Sequence, residues 1–142
     1  MEVSRQTDLL GGDDLDASLL SLPLRRVIGA RDPRMRSTVE AVRRGLGAGG
    51  ALLYRYLAED GLPGEEGAFL ICSFWLVDCL ALRGDGDEAT VLFEELLGYA
   101  NDVGLLPEQV DPGTGSALGN FPQAFSHIGV IAAAVNLDRL RR

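Results

Sequence analysis

The stretch AFLICSFWLVDCLALRG, residues 68–84, is apolar on nearly every side when it is drawn as a helix. Asp78 is the main exception. A helix without a polar face has no side suited to water, so it is expected to be buried all round. This run therefore predicts an inner helix over residues 67–83, enclosed by other parts of the fold.

Amphipathic segments flank this apolar helix along the chain. Asp32 and Pro33 are typical of a helix start, and apolar residues recur on one face of the segment 34–47. Residues 86–102 again combine an apolar face with a polar one. Both segments are predicted to be half-exposed helices.

Three further segments complete the secondary-structure prediction. Residues 121–140 are largely apolar and end in basic residues that suit a helix C-terminus. Acidic residues followed by an apolar run at 13–28 predict another helix, whereas residues 51–67 predict a short extended piece and then a loop. About five helices are therefore expected.

The alternation of amphipathic and apolar helices is typical of an α/α toroid, in which outer helices cover an inner ring. The expected fold class is all-α, with 67–83 and 121–140 inside and with 34–47 and 86–102 outside. A stack of helical repeats would alternate similarly, but no residue signature recurs at a fixed period. About five helices are too few to close a ring, so we expect an incomplete part of a larger barrel.

The composition of the chain excludes two classes of partner. The net charge is −8 and the isoelectric point is about 4.5, which is unsuited to a phosphate backbone, so no nucleic-acid partner is expected. The N-terminal residues have no apolar signal core, and no run is long enough for a membrane span. No membrane association is therefore expected.

Cys72 and Cys79 lie in the same apolar helix. Their helical spacing separates them by roughly 10 Å, which is too far for a disulfide. Buried, reduced thiols are the expected state of such residues. Reduced thiols favour a cytoplasmic location.

Several familiar catalytic and cofactor motifs are missing from the sequence. Ser73 and Ser126 lack the G-x-S-x-G turn of a triad hydrolase, and GAGG at 47–50 lacks the spacing and lysine of a phosphate loop. The single histidine, His127, predicts a structural hydrogen bond. Two cysteines and one histidine do not make a structural zinc site, so neither a metal nor a cofactor is expected.

The loop NDVGLLPEQVDPGTGSALGNFPQAFSH, residues 101–127, carries the remaining candidates for chemistry. Glycines and prolines restrain its backbone around Glu108 and Asp111, and Phe121 and Phe125 follow closely. An exposed loop acid is the ordinary interpretation of such a glutamate. Fixed carboxylates beside aromatic rings also suit sugar chemistry, in which an acid and a base flank a glycosidic bond.

With these motifs the chain resembles glycoside hydrolase family 15, the glucoamylases and their bacterial relatives, including some trehalases. The resemblance covers nearly the whole chain, and its motifs follow the family order. They are LDASLL (15–20), YRY (54–56), EGAFLICSFWLVDCLAL (66–82), the loop 101–127 and the closing apolar helix. The resemblance implies an (α/α)6 barrel and inverting hydrolysis of α-glucosidic bonds from the non-reducing end, with an α-glucoside as substrate.

The resemblance also implies roles for three residues. Glu108, in LLPEQVD, matches the general base that activates the attacking water. Arg55, in YRY, matches an arginine that holds the substrate, and Glu66 is a candidate for substrate contact only. The general acid of the family lies upstream, and residues 1–65 contain no candidate for it. Residues 1–142 are thus expected to be the C-terminal portion of the catalytic domain, without the N-terminal half of the barrel.

Two functions of different classes stay open at this point. The first is a glucoamylase- or trehalase-like hydrolase, to which this chain contributes the base without being active alone. The second is a truncated, non-catalytic helical module that acts in binding or interaction. Glu108 and Arg55 favour the first, and the missing acid favours the second. Apolar helices without barrel partners are expected to self-associate or to bind the missing segment. The residues do not distinguish starch-type glucans, trehalose and other α-glucosides.

Overall fold

Helices form most of the structure, a computed structural model that describes residues 12–57 and 66–142. A short 3₁₀ helix at Ala17–Ser21 is followed by α1 (Pro33–Leu46), α2 (Leu70–Arg83), α3 (Gly86–Leu97) and α4 (Ala124–Leu140). The strands are short: β1 (Gly47–Gly49), β2 (Leu52–Leu53), β3 (Ala68–Phe69), β4 (Gln109–Val110) and β5 (Ala117–Leu118). The predicted all-α class is confirmed.

The central element of the fold is α2. Eleven of its fourteen residues are buried, as its apolar sequence predicts. The helix ends at Gly84, whose φ of 104° is available to glycine without strain, and the Gly84 N–H donates to the carbonyl oxygens of Leu80 and Ala81. Because α3 begins at Gly86, α2 and α3 form a helical hairpin.

Helix α4 packs more extensively against α2 than any other element does. The buried face of α4 consists of three small residues and one leucine at helical spacing: Ser126, Gly129, Ala133 and Leu137. Gly129 allows the closest approach, because a Cβ atom there would lie 3.0 Å from the Phe74 Cβ atom. The opposite face is exposed among the described residues, so the segment predicted as a second inner helix is buried on one side only.

Helix α1 is amphipathic, as predicted, and its apolar face joins the same core. The Asp32 side chain accepts a hydrogen bond from the Arg34 N–H at 2.9 Å, which confirms the predicted N-cap. The main neighbours of α1 are the 3₁₀ helix and β1, and the 3₁₀ helix in turn packs on α2. The outer helix α1 therefore covers α2 largely through the 3₁₀ helix, whereas α3 contacts α2 directly.

Four helix predictions were longer than the helices observed. The segment predicted as 67–83 becomes helical only at Leu70, because residues 68–69 form β3 and pair with β4. Residues 13–28 form only the short 3₁₀ helix and then turns, because Pro23 has no N–H with which to continue a helical ladder. The segment 86–102 stops being helical after Leu97 and turns through Gly98. The segment 121–140 becomes helical only at Ala124, and the N–H of Gln123, the residue before it, is bonded to the Leu106 carbonyl oxygen.

Two small antiparallel sheets lie beside the helices. In the first, β1 pairs with β2, with Gly47 opposite Leu53, which confirms an extended piece at this point in the chain. In the second, β4 lies between β3 and β5, with Phe69 opposite Gln109. Because β3 runs directly into α2, the second sheet stands at the N-terminal end of the central helix. The loop predicted before residue 66 falls partly outside the described residues. No helix in 12–57 or 66–142 has the length and apolarity needed to cross a membrane.

Candidate active site

A cavity of about 300 Å³ lies where the 3₁₀ helix, β3, α2 and α4 all begin. It brings together Glu108 and Arg55, two of the residues predicted from the sequence. The rest of its wall is formed by Asp16, Ser18, Tyr56, Phe69, Ile71, Cys72, Trp75, Gln123, Phe125 and Ser126. Residues far apart in the sequence thus meet in one pocket that contains two carboxylates, one guanidinium and several aromatic rings.

The Glu108 backbone is anchored on both sides. Its N–H donates to the Asn120 carbonyl oxygen at 2.9 Å, and its own carbonyl oxygen accepts from the Leu70 N–H at 3.1 Å. Leu70 is the first residue of α2, where backbone N–H groups lack partners within the helix. Glu108 is therefore held between the start of the central helix and the loop that follows β5.

The first turn of α4 fixes the residues immediately before Glu108. Ser126 Oγ donates to the Pro107 carbonyl oxygen at 2.7 Å, and the Leu106 N–H donates to His127 Nε2 at 3.1 Å. The single histidine therefore makes a structural hydrogen bond, as predicted. Together with the bond from Gln123 to Leu106, these contacts attach the loop firmly to α4.

The two carboxylate oxygens of Glu108 have different surroundings. Oε2 accepts hydrogen bonds from the Asn120 main-chain N–H at 2.9 Å and from Asn120 Nδ2 at 3.0 Å. Oε1 makes no hydrogen bond with the described part of the chain, although the residue is half-buried in the cavity wall. One oxygen is thus anchored, and the other has no hydrogen-bond partner within the described residues.

Arg55 is held in a defined orientation. Its Nη2 atom donates to the Tyr56 hydroxyl and to Glu66 Oε1, both at 2.7 Å. The guanidinium carbon lies 4.5 Å from the Tyr56 ring centroid and 4.8 Å from that of Phe69, within cation–π range. Its main-chain carbonyl oxygen accepts from the Ala17 N–H at 2.8 Å. The buried Nε atom has no hydrogen-bond partner among the described residues.

Glu66 lies beside the cavity rather than in its wall. Its carboxylate pairs with Arg55, and both side chains are 37% exposed. The structure therefore gives this residue a contact with Arg55, whereas the sequence had suggested only a contact with substrate.

Asp111, the second acid of the loop, has a local role. Its Oδ1 atom accepts from the Gly113 N–H at 2.8 Å, and its main-chain atoms pair with Ser116 and Gly115 across the β4–β5 turn. The hydrogen bond from Gly113, helped by Thr114, lowers the pKa of this carboxyl group. Asp111 stabilises the turn and does not line the cavity.

Three other residues in or near the wall were not identified from the sequence. Asp16 caps the 3₁₀ helix, accepting from the Ser18 N–H at 2.7 Å. Trp75 meets Phe125 edge to face, with ring centroids 6.0 Å apart and an interplanar angle of 84°. Asn120 holds the glutamate. Asp16 and Trp75 lie within the motifs quoted above, but only the tertiary structure shows that they face the same cavity as Glu108.

The cysteines have no visible role in chemistry. Both are buried and unbonded to each other, as expected. Burial raises the pKa of the Cys72 thiol to about 12, so the thiol in the cavity wall is neutral at ordinary pH and is a poor nucleophile. Within the residues that the structure describes, no three histidine, cysteine or carboxylate side chains are arranged to hold a metal ion.

Comparison with known proteins gives consistent results. The family model described as "Glycosyl hydrolases family 15" matches residues 5–135. Trehalases from Mycolicibacterium smegmatis and Mycobacterium tuberculosis are 48% and 46% identical to this chain over 94% of its length. A trehalase from Thermoplasma acidophilum is 41% identical over 90%. The chain spans about a fifth of the length of these relatives, 20–22%.

Solved glycosidase structures share the fold. One wild-type glycosidase superposes with a TM-score of 0.76 and 25% identity, covering 91% of this chain and 37% of the glycosidase. A glycosidase variant in complex with glucose gives a TM-score of 0.75 at 24% identity. The arrangement of buried and covering helices is thus part of a six-hairpin (α/α)6 barrel.

Proposed function

This chain belongs to glycosyl hydrolase family 15, and from that membership we propose that it forms the C-terminal part of a catalytic domain that hydrolyses an α-glucosidic bond with inversion. Glu108 is the general base in this proposal and Arg55 binds the substrate. The observation that carries the proposal is the pair of unequal oxygens on Glu108, a residue of the cavity wall: one oxygen is held by Asn120, and the other has no partner among the described residues.

A general base must be ionised and must present a lone pair to the water it activates. Two N–H donors to Oε2 hold the carboxylate in one orientation. Oε1 then accepts the proton as the water oxygen attacks the anomeric carbon. The backbone anchors at Leu70 and Asn120 restrain this geometry before substrate arrives.

Inversion needs a second carboxyl group on the other side of the sugar, which protonates the leaving oxygen. The two groups stand roughly 6.5–9.5 Å apart in inverting enzymes, which leaves room for the water. We assign the acid to residues beyond these 142. Asp16 shares the cavity, where it caps the 3₁₀ helix, and we assign it no proton transfer.

Arg55 is suited to binding sugar hydroxyl groups. Tyr56 and Glu66 occupy Nη2, which leaves other N–H groups of the guanidinium for a ligand. Glu66 therefore acts on the substrate through Arg55. Trp75 and Phe125 provide an apolar wall against which the C–H face of a glucose ring can pack.

Trehalose is the substrate we favour. The relatives at 48% and 46% identity are named trehalases, whereas the cavity itself is compatible with other α-glucosides. No cofactor or metal is needed, because two carboxyl groups and water suffice for this reaction. The unpaired thiols of Cys72 and Cys79 agree with a cytoplasmic enzyme, which is also part of the proposal.

The test uses a hybrid enzyme, because activity requires the acid. In the Mycolicibacterium smegmatis trehalase, this chain would replace the segment that it matches. Glu108→Gln should lower kcat by about 10²–10⁴-fold with a much smaller change in KM, since the amide cannot accept the proton. Arg55→Ala should weaken binding and turnover together, because its contacts exist in both ground and transition states. Glu94→Gln, on the exposed side of α3, is the matched control and should leave both parameters unchanged.

The outcomes distinguish a hydrolase from a non-catalytic binding module. Undiminished turnover in the Glu108→Gln hybrid would reject the base assignment. A folded hybrid that binds trehalose without hydrolysing it, before any substitution, would favour a binding module. The 142-residue chain alone should hydrolyse no α-glucoside, and reproducible hydrolysis by the purified chain would contradict the location assigned to the acid.

A further inference from the structure

The carboxylate of Glu108 rests on two residues that lie outside the cavity wall, Gly119 and Asn120. Asn120 contributes both donors to Oε2, one from the main chain and one from its side-chain amide. A single residue thus contacts one carboxylate oxygen twice. The side chain itself is exposed and makes no other hydrogen bond with the described residues.

Gly119 lies directly against the same carboxylate. A Cβ atom at this position would stand 2.6 Å from Glu108 Oε2, 3.2 Å from its Cβ atom and 3.3 Å from its Cδ atom. Real Cβ atoms do not approach other heavy atoms within 3.0 Å. Any side chain at position 119 would therefore displace the carboxylate. The φ of Gly119 is 70°, a second reason for glycine there.

We propose that Gly119 and Asn120 form a positioning element that presents Glu108 Oε1, and not Oε2, as the atom that takes the proton from water. This inference rests on the proposed function. Asn120 holds Oε2 out of the reaction by occupying it with two donors. Gly119 leaves the space that this orientation needs. Neither residue belongs to the cavity wall.

The glycine half of the proposal has a matched control in the same loop. Gly115 has a φ of 74°, close to the 70° of Gly119, but a Cβ atom there would meet nothing within 4 Å. Alanine therefore strains the backbone similarly at both positions and disturbs the carboxylate at one only. In the hybrid enzyme, Gly119→Ala should lower kcat by at least about tenfold, whereas Gly115→Ala should stay within about twofold of the unsubstituted hybrid.

The asparagine half is tested with two substitutions. Asn120→Ala keeps the main-chain donor and loses the side-chain one, so kcat should fall about tenfold. Asn120→Asp is isosteric but replaces the donor with a carboxylate that repels Glu108, and kcat should fall about a hundredfold. The control is Ser116→Ala, which removes the acceptor of the hydrogen bond that Thr114 Oγ1 donates in the same loop, without touching Glu108.

The split between kinetic parameters distinguishes positioning from a structural effect. Arg55 and the aromatic wall are not disturbed, so KM should stay within about twofold in all these variants. A loosened loop would instead change KM and lower the melting temperature together. Crystal structures of Asn120→Ala and Gly119→Ala should show the Glu108 carboxylate rotated from its native position.

Failure of this inference and failure of the proposed function give different results. Full turnover in the Glu108→Gln hybrid would show that Glu108 is not the base. Its carboxylate would then need no positioning by Gly119 and Asn120. An inactive Glu108→Gln hybrid beside fully active Gly119→Ala, Asn120→Ala and Asn120→Asp variants would overturn only the positioning role. Equal losses in Gly119→Ala and Gly115→Ala would assign the effect to backbone strain and would also overturn it.

Discussion

Helices α2 and α4 are similar in composition but differ in burial. Eleven of the fourteen residues of α2 are buried, whereas only four of the seventeen residues of α4 are. Most apolar side chains of α2 are enclosed by neighbours, whereas Leu82 is exposed. Ile131 on α4 is 64% exposed and Ile128 is 59% exposed. The apolar composition of both helices thus predicts burial, but the observed burial depends on how many other elements pack around each helix.

The exposed side of α4 is an ordered stripe. Ile128, Ile131 and Val135 recur at helical spacing opposite the face that packs on α2. This second face fits the remaining helices of an (α/α)6 barrel, since the solved glycosidase that superposes here has 37% of its length covered by this chain. In the catalytic domain proposed above, we expect those helices to cover the stripe. In the chain alone it would support self-association.

The largest expected effect comes from making this stripe polar. The combined substitution Ile128→Ser, Ile131→Ser and Val135→Thr should raise the dissociation constant for self-association by at least about a hundredfold, because each buried apolar side chain contributes about 1.5–3 kcal/mol. Sedimentation equilibrium on the 142-residue chain measures this. Val91→Thr, on the exposed face of α3, is the control. A parent chain that stays monomeric at every concentration would remove the premise.

A matched pair of isoleucines measures the difference between the helices directly. Ile71 on α2 is 6% exposed, so Ile71→Ala should lower the free energy of unfolding by about 2–5 kcal/mol. Ile131→Ala should change it by no more than about 0.5 kcal/mol in dilute chain. Urea unfolding gives both values. In the hybrid enzyme Ile131→Ala should become costly, and an unchanged small effect there would show that the stripe stays uncovered.

The polar link between the two helices predicts a pH dependence. Asn136 Nδ2 on α4 donates to Asp78 Oδ1 on α2 at 2.7 Å, and burial raises the pKa of Asp78 to about 6. The unfolded value is about 3.9, so the folded chain binds more protons between the two values. The free energy of unfolding should therefore fall as pH rises from about 4 to about 6, by about 2–3 kcal/mol from this group, and then level off.

Asp78→Asn tests this dependence because it keeps an acceptor for Asn136 and removes the titration. The variant should lose the decline between about pH 4 and pH 6 in urea unfolding experiments. Asp102→Asn, at an exposed position, should retain it. An identical slope in the Asp78→Asn variant would mean that other groups cause the decline.

The smallest effect concerns the closest approach of α4 to α2. Gly129→Ala would place a Cβ atom 3.0 Å from the Phe74 and Ile71 side chains, and Phe74 Cβ cannot easily move, so we expect destabilisation of about 1 kcal/mol. Gly45→Ala in α1 meets only the flexible end of Leu15 at 2.8 Å. Because alanine has a higher helix propensity than glycine, Gly45→Ala should leave the free energy of unfolding unchanged or raise it by up to about 1 kcal/mol. Calorimetry that gave both variants the same sign would contradict the packing argument.

The fold was predictable where a local pattern has a single physical outcome. The apolar run of α2 could only be buried, and Asp32 and Pro33 could begin a helix without any tertiary contact. The ends of helices were less predictable. Residues 121–123 follow the apolar pattern of α4, but the Gln123 N–H bonds to Leu106 across the chain, and no local rule reveals such a partner.

The candidate site was predictable in part. Glu108 and Arg55 were named through the family resemblance, and the structure places both in one cavity. Glu66 was named as well, but its contact is with Arg55. The sequence did not identify Asn120 as a site residue, because asparagine is common in exposed loops. Its two hydrogen bonds go to a residue twelve positions away, and only the structure shows them.

The sequence by itself determined that this protein is acidic and helical, that residues 68–84 hold its centre, and that the loop 101–127 carries its carboxylate. These properties follow from periodicity and motif order, which can be read from neighbouring residues, and from charge, which is a sum over residues. Only the tertiary structure decided which Glu108 oxygen is free, which partners hold Arg55, and which side of α4 is covered. Those outcomes depend on distances between groups far apart in the chain, and packing sets such distances through all its contacts at once.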